Sequence, residues 1–133
     1  MASRLRIWRG SPDPPRFRAV RQLYRMLRVP EARGRRLLRR WLSAEQLAQF
    51  DARSSFDVIG CHTARRYRIY YAKVANVEEL DQVGHPIVRY CFIPEGDLVP
   101  GDVMLAQKIA LETNERAALA VANRLTPAAR PPA

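Results

Sequence analysis

Apolar and basic positions divide the first third of the chain into two amphipathic stretches. From Arg16 to Val29, Ala19, Val20, Leu23, Tyr24, Met26 and Leu27 fall on one side of a helical wheel. Arg18, Arg21, Gln22, Arg25 and Arg28 fall on the other. Pro30 is expected to end this helix, because a residue before proline avoids the helical region. Between Glu31 and Leu42 the division repeats, with Leu37, Leu38, Trp41 and Leu42 opposite Arg33, Arg35, Arg36, Arg39 and Arg40. Ser43-Ala44-Glu45-Gln46 has the form of a capping box, which predicts a third short helix running through Phe50.

The period then changes. Phe56 to Gly60, Tyr67 to Tyr71, Val74 to Leu80 and Ile87 to Ile93 are short, aromatic or β-branched runs separated by turn-prone residues, a pattern that predicts an antiparallel meander. Asp81-Gln82-Val83-Gly84 is the clearest turn, and Pro94-Glu95-Gly96-Asp97 is expected to close the sheet. Pro100-Gly101-Asp102 introduces a helix over Val103 to Leu125, with Asp102 as the expected N-cap. Glu112 and Arg116 fall among its apolar positions, so a break is expected near Thr113 and Asn114. The expected fold is α+β, a short antiparallel β-meander of about four strands covered by N- and C-terminal helices. It divides into a flexible basic leader (1–15), an Arg-rich amphipathic helical region (16–53), a neutral meander with C-terminal helices (54–125) and a disordered tail (126–133).

Charge sharpens that division. Residues 1–53 hold 14 arginines against Asp13, Glu31, Glu45 and Asp51, a net of +10, whereas residues 54–133 hold nine basic and nine acidic residues. The whole formal charge of +10 therefore belongs to the first two fifths of the chain, which points to a polyanionic partner. Codon bias accounts for arginine over lysine but not for the scarcity of acids in that region. With 133 residues, 47% hydrophobic and 27% charged, the chain fits one folded domain and neither a fibrous nor a wholly disordered one. The N-terminus lacks the apolar run of a signal peptide, and no stretch approaches 18 apolar residues, so a cytoplasmic location is expected.

The charge makes a nucleic-acid surface the leading candidate. Guanidinium groups along one helical face bridge successive phosphates, and Arg21, Arg25, Arg28, Arg35, Arg36, Arg39 and Arg40 are the expected contacts. Tyr24 and Trp41 lie with the apolar residues and are expected in the core rather than stacked on bases. Little sequence selectivity and neither DNA nor RNA preference is implied. The alternative is an interaction or adaptor module. In it the VRYCFI run pairs with a partner strand or a second copy, and the basic face docks an acidic protein or an anionic membrane. Membrane association is the less favoured of these, because the apolar helix faces are needed to cover the sheet.

Cys61, His62, His85 and Cys91 are numerically a zinc-ligand set, but their spacing contains no CxxC knuckle, and neighbours on a strand point to opposite faces. No metal or cofactor is expected. There is no phosphate loop, GxGxxG, HExxH or GxSxG motif, and Glu78, Glu79, Asp81, Glu95, Asp97 and Asp102 are expected in turns or caps, so the chain does not read as an enzyme.

Several stretches between Trp41 and Leu125 are distinctive: WLSAEQLAQF, FDVIG before RRYRIYY, NVEELD, and CFIPEGDLVPGDVMLAQKIALE before ALAVANRL. In these the chain resembles a group of small uncharacterised bacterial proteins. The resemblance covers roughly two thirds of the chain and implies a folded module, with no activity, cofactor or catalytic residue attached. The chain departs from that pattern at Cys61-His62-Thr63-Ala64, where the group is richer in glycine.

Overall fold

A computed structural model describes residues 29–125. Helical backbone over residues 29–41 forms α1 in the described part, and α2 spans Ala44–Arg53. Four strands follow, β1 (Ser55–Ile59), β2 (Arg66–Tyr70), β3 (Val77–Leu80) and β4 (Pro86–Cys91), then the long helix α3 (Pro100–Val121) and a short strand β5 (Asn123–Leu125). The five strands form one antiparallel sheet in sequential order, β1-β2-β3-β4-β5. The α+β fold, with helices from both ends of the chain on a meander, is as the sequence implies. The expected leader, the helix over Arg16 to Val29 upstream of its last residue, and the tail lie outside the described residues.

The register explains which side chains meet. Phe56, Ile69, Val77 and Tyr90 stand opposite one another across four strands, and Val58 and Tyr67 continue the same inward face. These residues join Leu38 of α1, Phe50 of α2 and Met104, Leu105, Leu111 and Ala118 of α3 in one core. The parallel row on the other face, Asp57, Arg68, Glu78 and Arg89, alternates in charge from strand to strand. Arg68 Nε lies 2.8 Å from Asp57 Oδ1, and Glu78 takes the Tyr70 hydroxyl at 3.0 Å, so the outward face carries a cross-strand polar ladder.

Helix ends follow local chemistry. Ser43 accepts from the Gln46 amide and Gln46 returns a side-chain bond to Ser43, each at 3.1 Å, so the capping box forms as expected. The helix α2 then runs past Phe50 to Arg53 and stops at Ser54, whose backbone is left-handed (φ 56°). In α3 the N-cap is Val99 rather than Asp102, because Pro100 occupies the first turn, where its missing N–H has no helical partner to lose. The break expected near Thr113 and Asn114 is present: Asn114 has non-helical backbone angles (φ −153°, ψ 65°) and divides α3 into two halves.

Three expectations are corrected. Val29 and Pro30 are helical and run without interruption into residues 31–41, so the described helix includes Pro30, whose fixed φ suits helical backbone, and starts earlier than Glu31; the segment upstream of Val29 lies outside the described residues. Residues 123–125, expected to be helical, form β5 opposite Arg89–Cys91. The VRYCFI run is therefore flanked on both sides at Arg89 and Tyr90, by β3 and β5, and is no free edge there. At the opposite margin of the sheet, α2 covers β1: the Asp57 amide donates to Gln49 Oε1 at 2.8 Å, and Gln46 Nε2 donates to the Asp57 carbonyl at 3.0 Å. Two glutamine side chains thus satisfy backbone groups that an edge strand would otherwise present to another chain.

Candidate nucleic-acid interface

The helix α1 is held close to α3 by two glycines. A Cβ on Gly101 would sit 2.6 Å from the Gly34 carbonyl carbon and 2.8 Å from the Arg35 amide nitrogen, and one on Gly34 would sit 2.6 Å from Val99 Cγ2. Backbone approaches backbone here, and this contact sets the rotation of α1. Its inward arc is Gly34, Leu38 and Leu42, flanked by Glu31, Arg35 and Arg39. The outward arc, one half-turn away, carries Arg33, Arg36 and Arg40 beside Val29, while the exposed Leu37 and Trp41 lie between that arc and Gly34.

The expected binding arginines therefore divide. Arg35 is exposed but lies flat against the core margin, with its guanidinium carbon 4.7 Å from the Tyr71 ring centroid and 5.8 Å from that of Phe50. Beside it the Tyr71 hydroxyl donates to Glu31, linking the first turns of α1 to the end of β2. Burial and that carboxylate push the Tyr71 phenol up to about 12, partly offset by Arg35. Arg39 pairs with Asp51 of α2. Arg36 and Arg40 are exposed and make no ion pair among the described residues, and Arg33 shares this state. Arg21, Arg25 and Arg28 lie outside the described residues.

Trp41 is a correction: it is 60% exposed, and Leu37 is 44% exposed, so neither belongs to the core. The apolar stripe of α1 is wider than the surface it covers. Gly34 brings α3 so near that only Leu38 is fully enclosed, while the ring stack with Arg35 occupies the position a broader apolar contact would fill. Arg33 thus joins Arg36 and Arg40 on one surface, and Trp41, which the sequence pattern assigns to the core, is exposed on the side of α1 next to Gly34.

The cysteine and histidine residues do not converge. Cys61 and His62 lie in the β1–β2 loop rather than on a strand, and both face the second half of α3. There Cys61 Sγ accepts from the Glu115 amide at 3.4 Å and His62 Nδ1 from the Arg116 amide at 3.3 Å, satisfying donors freed by the break at Asn114. His85 ends the β3–β4 turn beside Asp81, and Cys91 is a half-buried residue of β4; both cysteines are free thiols. Among the described residues no group of three or more His, Cys, Asp or Glu side chains is placed to hold a metal.

Two carboxylates expected in turns are strand residues instead. Glu78 and Glu79 are both buried in β3; Glu79 accepts from the Tyr90 hydroxyl at 2.8 Å and pairs with Arg65 at 3.2 Å. A third carboxylate, Glu115, is fully enclosed at 0% exposure and takes bonds from the His62 amide (2.9 Å), the Thr63 amide (2.8 Å), the Thr63 hydroxyl (2.6 Å) and the Tyr67 hydroxyl (2.5 Å). Burial alone would push Glu115 up, but the bonds from Thr63, Tyr67 and His62 outweigh it and hold the carboxyl below its usual range. Every donor here is committed to protein structure, so this carboxylate anchors a loop and offers no general base to solvent.

No family model matches the chain, and no curated protein or solved structure is significantly similar to it. Among the described residues no helix is long and apolar enough to cross a membrane.

Proposed function

We propose that the outward arc of α1 contacts nucleic-acid phosphates without strong sequence preference, with no chemical step attached. The observation that carries this reading is the placement of Arg33, Arg36 and Arg40 within one exposed arc of α1, with the exposed Trp41 at the end of the helix on the side between that arc and Gly34. Guanidinium groups spaced by helical turns match successive backbone phosphates, and an exposed indole offers a surface on which an unpaired base stacks. Eight further arginines precede Val29 in the sequence, against Asp13 alone, so the same polarity extends toward the N-terminus. Arg21, Arg25 and Arg28 are proposed as contacts from that stretch. Arg35 and Arg39 are assigned a different role, holding α1 on the body of the protein.

The test uses the full-length chain, Arg36→Ala/Arg40→Ala and Trp41→Ala, titrated against generic duplex DNA and single-stranded RNA across about 50 to 200 mM salt, the range in which counterion release is read. Affinity of the wild type is expected to fall steeply with salt, and the double-arginine variant is expected to bind more weakly with a flatter slope. Trp41→Ala should weaken single-stranded binding more than duplex binding. A folded wild-type protein that stays unbound at the low-salt end overturns the assignment and turns attention to an acidic protein partner for the same face.

A further inference from the structure

At one end of the sheet, where β1 and β3 finish and β2 and β4 begin, lies a cleft of about 800 Å3. Three arginines border it: Arg65 and Arg66, on either side of the start of β2, and Arg124 of β5. The apolar part of the lining comes from Ile59, Leu80, Ile87 and Val88. The sequence gives no hint of this grouping, because Arg124 is distant along the chain and reaches the cleft only when β5 pairs with β4.

The charges facing the cleft are unequal in availability. Glu79 is buried and committed to Tyr90 and Arg65, which also fixes the Arg65 guanidinium at 3.2 Å on the cleft wall. Asp81 accepts the Val83 amide at 3.0 Å and the His85 amide at 2.8 Å and serves the β3–β4 turn. Arg124 is set by its position 5.8 Å from the Tyr90 ring centroid, and Arg66 is exposed with no ion pair among the described residues. With three guanidinium groups against two occupied carboxylates, the cleft is net cationic over an apolar wall. Its volume falls within the range of small-molecule sites, roughly 300 to 1,000 Å3, and guanidinium forks match planar or tetrahedral oxyanions.

We propose that this cleft binds a small amphipathic anion, a phosphate or carboxylate carried on a flat apolar body. The oxyanion is held by Arg65 and Arg124, the two guanidinium groups that lie near Tyr90, with Arg66 on the far wall, and the body lies against Ile59, Leu80, Ile87 and Val88. None of these residues belongs to α1, so the site stands whether or not α1 binds nucleic acid.

The probes are 1-naphthyl phosphate and 1-naphthoate, with 1-naphthol and inorganic phosphate as the halves of the first. Binding to the full-length chain is followed by calorimetry and by methyl resonances of Ile59, Leu80, Ile87 and Val88. At least one intact anion is expected to bind one-to-one and shift those methyls, at least about tenfold tighter than either half, because head and body act together. Arg65→Ala/Arg124→Ala changes two exposed side chains and should keep a native methyl spectrum while weakening binding by about tenfold or more, the expected result of losing charge-assisted hydrogen bonds. Methyl shifts confined to other surfaces, equal affinity for 1-naphthol, or unchanged affinity in the folded double variant overturns the proposal, as does absence of binding by both anions.

Discussion

Four of the five tyrosines end on a glutamate: Tyr67 on Glu115, Tyr70 on Glu78, Tyr71 on Glu31 and Tyr90 on Glu79. In each pair, burial first and the carboxylate second push the phenol above its ordinary value. A phenol whose folded-state value is raised contributes stability below about pH 10, and that contribution is lost as pH rises through the native values, about 12 for Tyr71. Phenolate absorbance of the native protein is therefore expected to appear mostly above pH 10, and to move down toward about 10 in denaturant. Glu115 has the opposite sign. Its lowered native value means that its contribution is present above the ordinary value of 4.5 and is lost as pH falls through the lower native one. Glu115→Gln keeps the shape but turns an amide against donors from Thr63, His62 or Tyr67. It should lower stability by about 2 to 3 kcal/mol in urea unfolding and flatten the loss on acidification. Little of this was legible in sequence. Glu112 and Arg116 betray the break at Asn114, but the change of helical phase across it, which turns Glu115 inward, has no periodic signature. Gly60 is the residue that admits it, since a Cβ there would overlap the Glu115 carboxylate.

The helices and strands were legible in proportion to how local their causes are. The capping box at Ser43, the Asp81 turn and the break in α3 depend on residues within a turn of one another, and each appears where the pattern places it. The strand β5 does not: Asn123-Arg124-Leu125 has no strand pattern, and its conformation is dictated by the open flank of β4. The rotation of α1 is likewise a tertiary result. It follows from the crossing at Gly34 and Gly101, where each glycine leaves room for the other helix. Gly101→Ala sets a methyl group against the Gly34 and Arg35 backbone, which cannot swing aside as a side chain does. A loss of roughly 1 to 3 kcal/mol is expected, the usual cost of overpacking, together with weaker protection of α1 amides in hydrogen exchange. If α1 exchanges no faster in this variant, the crossing does not hold the helix. A matching test applies at the other margin of the sheet. Gln46→Ala/Gln49→Ala bares the Asp57 backbone groups and should increase concentration-dependent self-association in sedimentation, with β1 the strand newly available for pairing.

Among the described residues, arginines that look alike in sequence meet different demands according to the face on which they lie. On α1, Arg35 and Arg39 are turned toward Tyr71, Phe50 and Asp51, whereas Arg33, Arg36 and Arg40 face away from the body. Counting arginines assigns all five to one surface; the helical phase fixed by Gly34 separates them. That separation gives the proposed interface a sharp consequence. On duplex DNA each phosphate contact contributes about 0.9 to the slope of log affinity against log salt. Arg33→Ala/Arg36→Ala/Arg40→Ala should therefore flatten the slope by about 2 to 3 while leaving thermal stability near that of the wild type. Arg35→Ala/Arg39→Ala should do the reverse, leaving the slope nearly unchanged and lowering stability, chiefly through the lost packing of Arg35 on two aromatic rings, since the exposed Arg39–Asp51 pair contributes little. If the two sets flatten the slope equally, binding follows total charge and the geometry of α1 is irrelevant to it; if only the outward set does, the helix presents its phosphate contacts by rotation, and the glycine crossing is what orients them.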